Sequence, residues 1–179
     1  METSAYVKLA RATIDKYVTT TKRLRLPDDL PAGLKEELPP DAFSDRAGTF
    51  VSVHEKGMLR GCIGTIGPIE SSIAEEIVSN AISAVSRDPR FPPVRENELK
   101  DLEISVDVLG KPEYIDGPEQ LDVKRYGVIV SRGQRRGLLL PDLDGVDTVE
   151  DQIRIAKQKA GIRENEDCRL ERFEVVRYH

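Results

Sequence analysis

The chain has 179 residues, 39% hydrophobic and 33% charged, with a formal net charge of −5, two cysteines and no tryptophan. A chain of this length can bury roughly 70% of its unfolded surface, here around Ile, Val, Leu and Ala, so no disulfide or metal staple is needed. The acidic balance excludes a general pull toward nucleic acid and leaves only local basic patches, while no apolar run approaches the roughly 20 residues that span a bilayer.

Residues 3–18 place Tyr6, Ala10, Ile14, Tyr17 and Val18 at helical spacing behind Thr3 or Ser4 as cap, which predicts an amphipathic helix. Residues 23–47 carry Pro27, Pro31, Pro39 and Pro40 among acidic residues and read as a long surface connection with a short helical turn at residues 34–38. TFVSVHE, then Lys56-Gly57, then MLRGCIG read as a hairpin, with Cys62 near the far end of its second strand. Ser72 and Glu75 form a capping-box pattern ahead of Ile73, Ile77, Ala81 and Val85, a second helix that the prolines of RDPRFPP bring to an end. LEISVDVLG alternates as a half-buried strand, and GVIVSRG with RGLLLP forms another hairpin around Gly133-Gln134. Thr148 caps a helix carrying Val149, Ile153 and Ala156 to a stop at Gly161, and residues 169–179 close the chain as one alternating strand. No internal repeat is read. Helices interspersed with hairpins predict an α+β fold, a mostly antiparallel sheet flanked by helices. Two cysteines far apart form no disulfide framework or metal-ligand repeat, and no secretory leader is read, so the expected compartment is the cytoplasm.

The heptapeptide L-R-G-C-I-G-T at residues 59–65 resembles the hallmark of the AMMECR-type domain family. The likeness continues through RDPRFPP, LEISVDVL, KRYGVIV and GLLLPDLDGVDT, nearly end to end. The resemblance is to the stand-alone prokaryotic form associated with the AmmeMemoRadiSam system, and it implies a Memo-like protein and a radical-SAM protein as partners. It also implies a larger lobe, about residues 1–115 plus 169–179, and a smaller lobe, about residues 125–165, with a cavity between them. It brings no established reaction.

Cys62 is the candidate nucleophile or thiol. A two-residue turn at Lys56-Gly57 pairs Val51 with Cys62 and His54 with Leu59, which puts His54 and Cys62 on opposite faces. A register slipped by one puts them on the same face but roughly 13 Å apart. Arg60, two residues from Cys62, favours a thiolate on one reading; on the other, Cys62 is a small buried apolar residue. Gly61, Gly64 and Thr65 either let a ligand approach the backbone ahead of the next helix or accommodate a bulge or strand crossing. Arg87 and Arg90 read as clamps for a carboxylate or phosphate with Phe91 as an apolar wall, or else as a helix C-terminus, an Asp88–Arg90 pair and a packed ring. Arg132, Arg135 and Arg136 at the second hairpin's tip form the best local basic patch. The carboxylates show no metal-ligand spacing, and neither metal nor cofactor is expected.

Two functions stand side by side. One is an accessory enzyme or substrate-handling component of a modification system, using Cys62 and acting with the Memo-like and radical-SAM partners. The other is a non-catalytic binding module for a partner protein, a small anionic ligand or RNA.

Overall fold

Helix α1, Ala5–Thr20, starts where Ser4 Oγ accepts a hydrogen bond from the Val7 amide at 3.3 Å, and it stops at Thr21, whose φ of 60° leaves the helical region. Its apolar stripe buries Tyr6, Leu9, Ala10 and Ile14. The computed structural model describes all residues from Met1 to His179, and its backbone divides into two units, Met1–Val108 with Arg177–His179, and Leu109–Val176. The smaller unit therefore includes residues 109–115 and 169–176, which the sequence reading assigned to the larger lobe.

The first four-stranded sheet has the order β2-β1-β3-β8, with β1 Thr49–Glu55, β2 Met58–Gly64, β3 Leu102–Leu109 and β8 Val175–Tyr178. Alternation turns Val51, Val53, Ile104 and Val106 to one face, where they share a core with Ile77, Val78 and Ala81 of helix α4, Ile73–Ser86. Ser72 Oγ caps α4 by accepting from the Glu75 amide at 3.2 Å. The proline-rich connection is not a surface loop. It forms two short helices, α2 Leu34–Glu37 and α3 Asp41–Ser44, and it buries Leu24, Leu34, Leu38 and Ala42 in the same core. Leucines interspersed among the prolines supply apolar surface that a polar connection would not have.

The first hairpin turns at Lys56 and Gly57, both at positive φ (51° and 77°), the twist a two-residue turn requires. Glu55 then faces Met58, and His54 faces Leu59, as the turn predicts. Beyond them the register shifts by one, so that Val53 faces Gly61 and Ser52 faces Cys62. Arg60 is the extra residue of a β-bulge, and it carries Cys62 to the face opposite the one expected.

The second unit repeats this plan. Its sheet has the order β4-β7-β5-β6, from β4 Glu113–Ile115, β5 Gly127–Arg132, β6 Arg135–Leu139 and β7 Arg169–Phe173, with helix α5, Val149–Ala160, sharing a core with Val128, Val130 and Leu139. The succession β5-β6-α5-β7 has the strand order of β1-β2-α4-β3, an internal recurrence that the sequence reading did not find. The residues expected as one C-terminal strand break at Glu174, so that β7 belongs to the second sheet and β8 to the first.

Candidate functional site

The heptapeptide lies on β2, an edge strand of the first sheet. Cys62 shares the face turned away from α4 with Ser52 and with Ser105, the residue facing Ser52 on β3. Its Sγ lies 3.2 Å from Ser52 Oγ. Burial pushes the thiol pKa above its ordinary value, against the opposing pull of the Ser52 hydrogen bond and the Arg90 charge. Its charged neighbours are Arg90, Asp107 and Asp88; neither His54 nor His179 is among them. The bulge places His54 and Cys62 on one face, yet His54 faces Leu59 while Cys62 faces Ser52.

The cation beside the thiol is Arg90, and not Arg60. Arg60 donates from Nε and Nη2 to the Glu98 carboxylate at 2.9 and 3.2 Å and from Nη1 to the Pro92 carbonyl at 2.8 Å. That pairing holds Glu98 below the usual carboxylate range and fastens the RDPRFPP segment to the bulge.

Asp88 is buried and central. Oδ2 accepts from the Cys62 amide at 3.0 Å, Oδ1 accepts from the Arg90 amide at 3.0 Å, and both oxygens receive the Arg90 guanidinium, at 3.0 Å from Nε and 2.7 Å from Nη2. These donors hold its carboxyl well below the ordinary range, the Arg90 side chain contributing most. Arg90 Nη2 also reaches the Cys62 carbonyl at 3.4 Å, so the outward amide and carbonyl of Cys62 both end on this pair. The Arg90 side chain is 55% exposed, and its guanidinium lies 5.4 Å from the centroid of the half-buried Phe91 ring. Arg87 is exposed and closes α4 through its amide, which donates to the Ser83 carbonyl at 2.8 Å.

The glycines serve close packing. A Cβ on Gly61 would stand 2.1 Å from the carbonyl oxygen of Ala84, where α4 crosses the strand, and one on Gly64 would strike the Phe50 ring at 2.2 Å. Gly137 of β6 meets the Ala156 carbonyl of α5 in the same way, at 2.3 Å. Thr65 Oγ1 donates to Glu76 Oε1 at 2.6 Å, while Glu76 Oε2 accepts the amides of Ile69 and Glu70 at 3.0 and 2.8 Å. Asn80 Nδ2 donates to Thr49 Oγ1 at 2.8 Å and to Thr65 Oγ1 at 3.2 Å. This buried network holds the turn that follows the motif. Glu76 and Asn80 escaped sequence reasoning, although they stand four residues apart among the apolar positions of a helix, where a polar residue needs a buried partner. Asp107 was missed as well; it is buried opposite Phe50 and accepts Arg177 Nε at 2.8 Å and Nη2 at 3.1 Å.

At the second hairpin's tip the arginines are largely engaged. Arg135 makes a bidentate pair with Glu166 at 3.0 and 2.9 Å, which lowers the Glu166 pKa to about 2, and Arg132 Nη1 donates to the Asp167 carbonyl at 2.7 Å. No group of three His, Cys, Asp or Glu side chains gathers where it could hold a metal ion, and no helix is long and apolar enough to cross a membrane.

The model of the AMMECR1 family matches residues 7–179. A protein of Thermotoga maritima is 51% identical over 175 residues, covering 97% of this chain and 96% of the relative. One of Clostridium acetobutylicum is 48% identical over 177 residues, 99% of this chain, which spans only 36% of that longer relative. Among solved structures, an uncharacterized protein of Pyrococcus horikoshii superposes with a TM-score of 0.83 at 32% identity, covering 96% of this chain and 88% of that one.

Proposed function

Starting from a chain that belongs to the AMMECR1 family, we propose that it is a binding module that handles a small anionic ligand and not a thiol enzyme. The observation that carries this reading is the state of Cys62: a half-buried thiol, raised in pKa by burial and hydrogen-bonded to Ser52, with no imidazole among the charges around it. A nucleophile needs a base or a depressed pKa, and this thiol has neither. Arg90 is the group offered to a ligand. Asp88 and the Cys62 carbonyl occupy its Nε and Nη2, which fixes the guanidinium plane and leaves Nη1 on an exposed side chain for a carboxylate or phosphate oxygen. Phe91 supplies an apolar wall beside it. This role is the version of a modification-system component that asks no chemistry of the chain itself: it holds a substrate on which Memo-like and radical-SAM partners act.

The test is native mass spectrometry of small molecules retained by the purified protein, with Cys62→Ser and Arg90→Gln variants. Binding through Arg90 keeps the same species on Cys62→Ser and loses it on Arg90→Gln. A covalent mass increment on Cys62, or loss of the species on Cys62→Ser alone, would restore the enzyme reading.

A further inference from the structure

In the second unit, Arg136, Ser131 and Arg169 form one cross-strand row on the sheet face turned away from α5, because Ser131 faces Arg136 on β6 and Arg169 on β7. Neighbouring strands stand about 4.8 Å apart, so the two guanidinium-bearing strands flank the serine at hydrogen-bonding reach of one small anion. On the same face, one strand beyond Arg169, Tyr114 of β4 faces Glu171, and the residue is 68% exposed. The Arg169 guanidinium lies 5.5 Å from the centroid of that ring, and Arg169 has no carboxylate partner.

These residues, with Arg132 and Asp167, line a groove of about 750 Å³, and a neighbouring groove of about 530 Å³ shares the Tyr114 and Arg169 wall. Both volumes fall in the range of about 300–1,000 Å³ typical of small-ligand sites. Three arginines line the larger groove against two carboxylates, Asp167 and Glu171, in a chain whose formal net charge is −5. Glu171 lies 3.5 Å from Arg136 and offsets part of its charge. The surplus suits one phosphate and not a polyanion.

We propose that this groove binds a nucleotide, its phosphate between Arg136, Ser131 and Arg169 and its base stacked on the open face of Tyr114. Arginine forks fit phosphate oxygens in pairs, and an exposed aromatic ring accepts any base by its π-face. A free mononucleotide and one residue of a single strand present the same chemistry. The site shares no residue with the Cys62 surface and does not depend on the function proposed for it.

Calorimetric titration of the full chain with adenosine 5′-monophosphate, inorganic phosphate, a single-stranded RNA hexanucleotide and a pentaaspartate peptide tests the assignment. The mononucleotide binds at least about ten-fold tighter than inorganic phosphate, and Tyr114→Ala removes that advantage while Tyr114→Phe retains it. Arg169→Gln weakens both ligands. Equal affinity for hexanucleotide and mononucleotide identifies a free nucleotide as the occupant, and tighter binding of the hexanucleotide identifies a strand; either supports the site. Both Tyr114 and Arg169 are exposed, so thermal melting verifies that the variants stay folded. The proposal is overturned if no nucleotide binds, if inorganic phosphate or the peptide binds as tightly as the mononucleotide, or if Tyr114→Ala and Arg169→Gln leave the affinity unchanged.

Discussion

Replacing Gly61 with alanine puts a methyl group 2.1 Å from the Ala84 carbonyl oxygen. Ordinary C···O contacts begin near about 3.3 Å, so β2 and α4 must part by about 1 Å. A gap of that size forfeits roughly a quarter to a half of each dispersion contact across the interface. The obstacle is backbone, so no rotamer change relieves it, and the cost falls near the upper end of the overpacking range, about 3 kcal/mol. For a protein of this length that lowers the thermal midpoint by roughly 10 °C. Gly61 lies outside the positive-φ region, so the effect is steric and not conformational. Gly64→Ala is the internal comparison: its obstacle is the Phe50 ring, a side chain that can turn aside, and the expected loss is about 1 kcal/mol, recovered in part by Phe50→Leu. Differential scanning calorimetry and urea unfolding read both. A Gly61→Ala midpoint within about 2 °C of the parent would refute this packing argument and return the glycine to a ligand role.

Asp88→Asn should cost about 1–3 kcal/mol at neutral pH in urea unfolding. The Asp88 carboxyl is depressed in the folded state, so its contribution is complete above the unfolded value of about 3.9 and disappears as pH falls below it; the variant should lose that acid-side slope. Cys62 should react with iodoacetamide at least about ten-fold more slowly in native protein at pH 7.5 than after denaturation, with the native rate climbing only at alkaline pH. Because its folded pKa is raised, the associated stability is present below the ordinary thiol range of about 8.5 and lost above it. Glu76→Ala strands three donors and should cost about 3–5 kcal/mol, against about 1–2 for Glu76→Gln, by the same unfolding measurement.

Elements whose signals are local were legible. Ser4, Ser72 and Thr148 cap the helices that their spacing predicts, and Lys56-Gly57 makes the turn it announces. The bulge at Arg60 was not legible, because the hydrophobic alternation of β2 is too weak to show where the register shifts, and the shift is held by Glu98 and the Pro92 carbonyl, far along the chain. One displaced residue changed which face carries Cys62 and therefore its neighbours. The break at Glu174 was hidden for a different reason: alternation runs on through it, and only strand partners reveal that β7 and β8 belong to separate sheets. The recurrence of the two units survives in sequence as little more than Val-x-Val followed by Arg-Gly, Val51 to Gly61 and Val128 to Gly137, too short to stand out. Its physical basis is the shared need for a glycine where a helix crosses the outer strand.

The Asp88–Arg90 pair has a bearing on whether the edge of the first sheet is open to the backbone of another copy. Strand β2 ends its sheet with Met58 and Leu59 exposed, and an open edge flanked by apolar side chains is a template for another molecule's backbone. At Cys62 the template is already taken: a carboxylate receives the amide and a guanidinium covers the carbonyl, as an incoming strand would. Removing Asp88 would thus free an addressable stretch of edge for intermolecular pairing, and slow aggregation of a still-folded variant would be its signature.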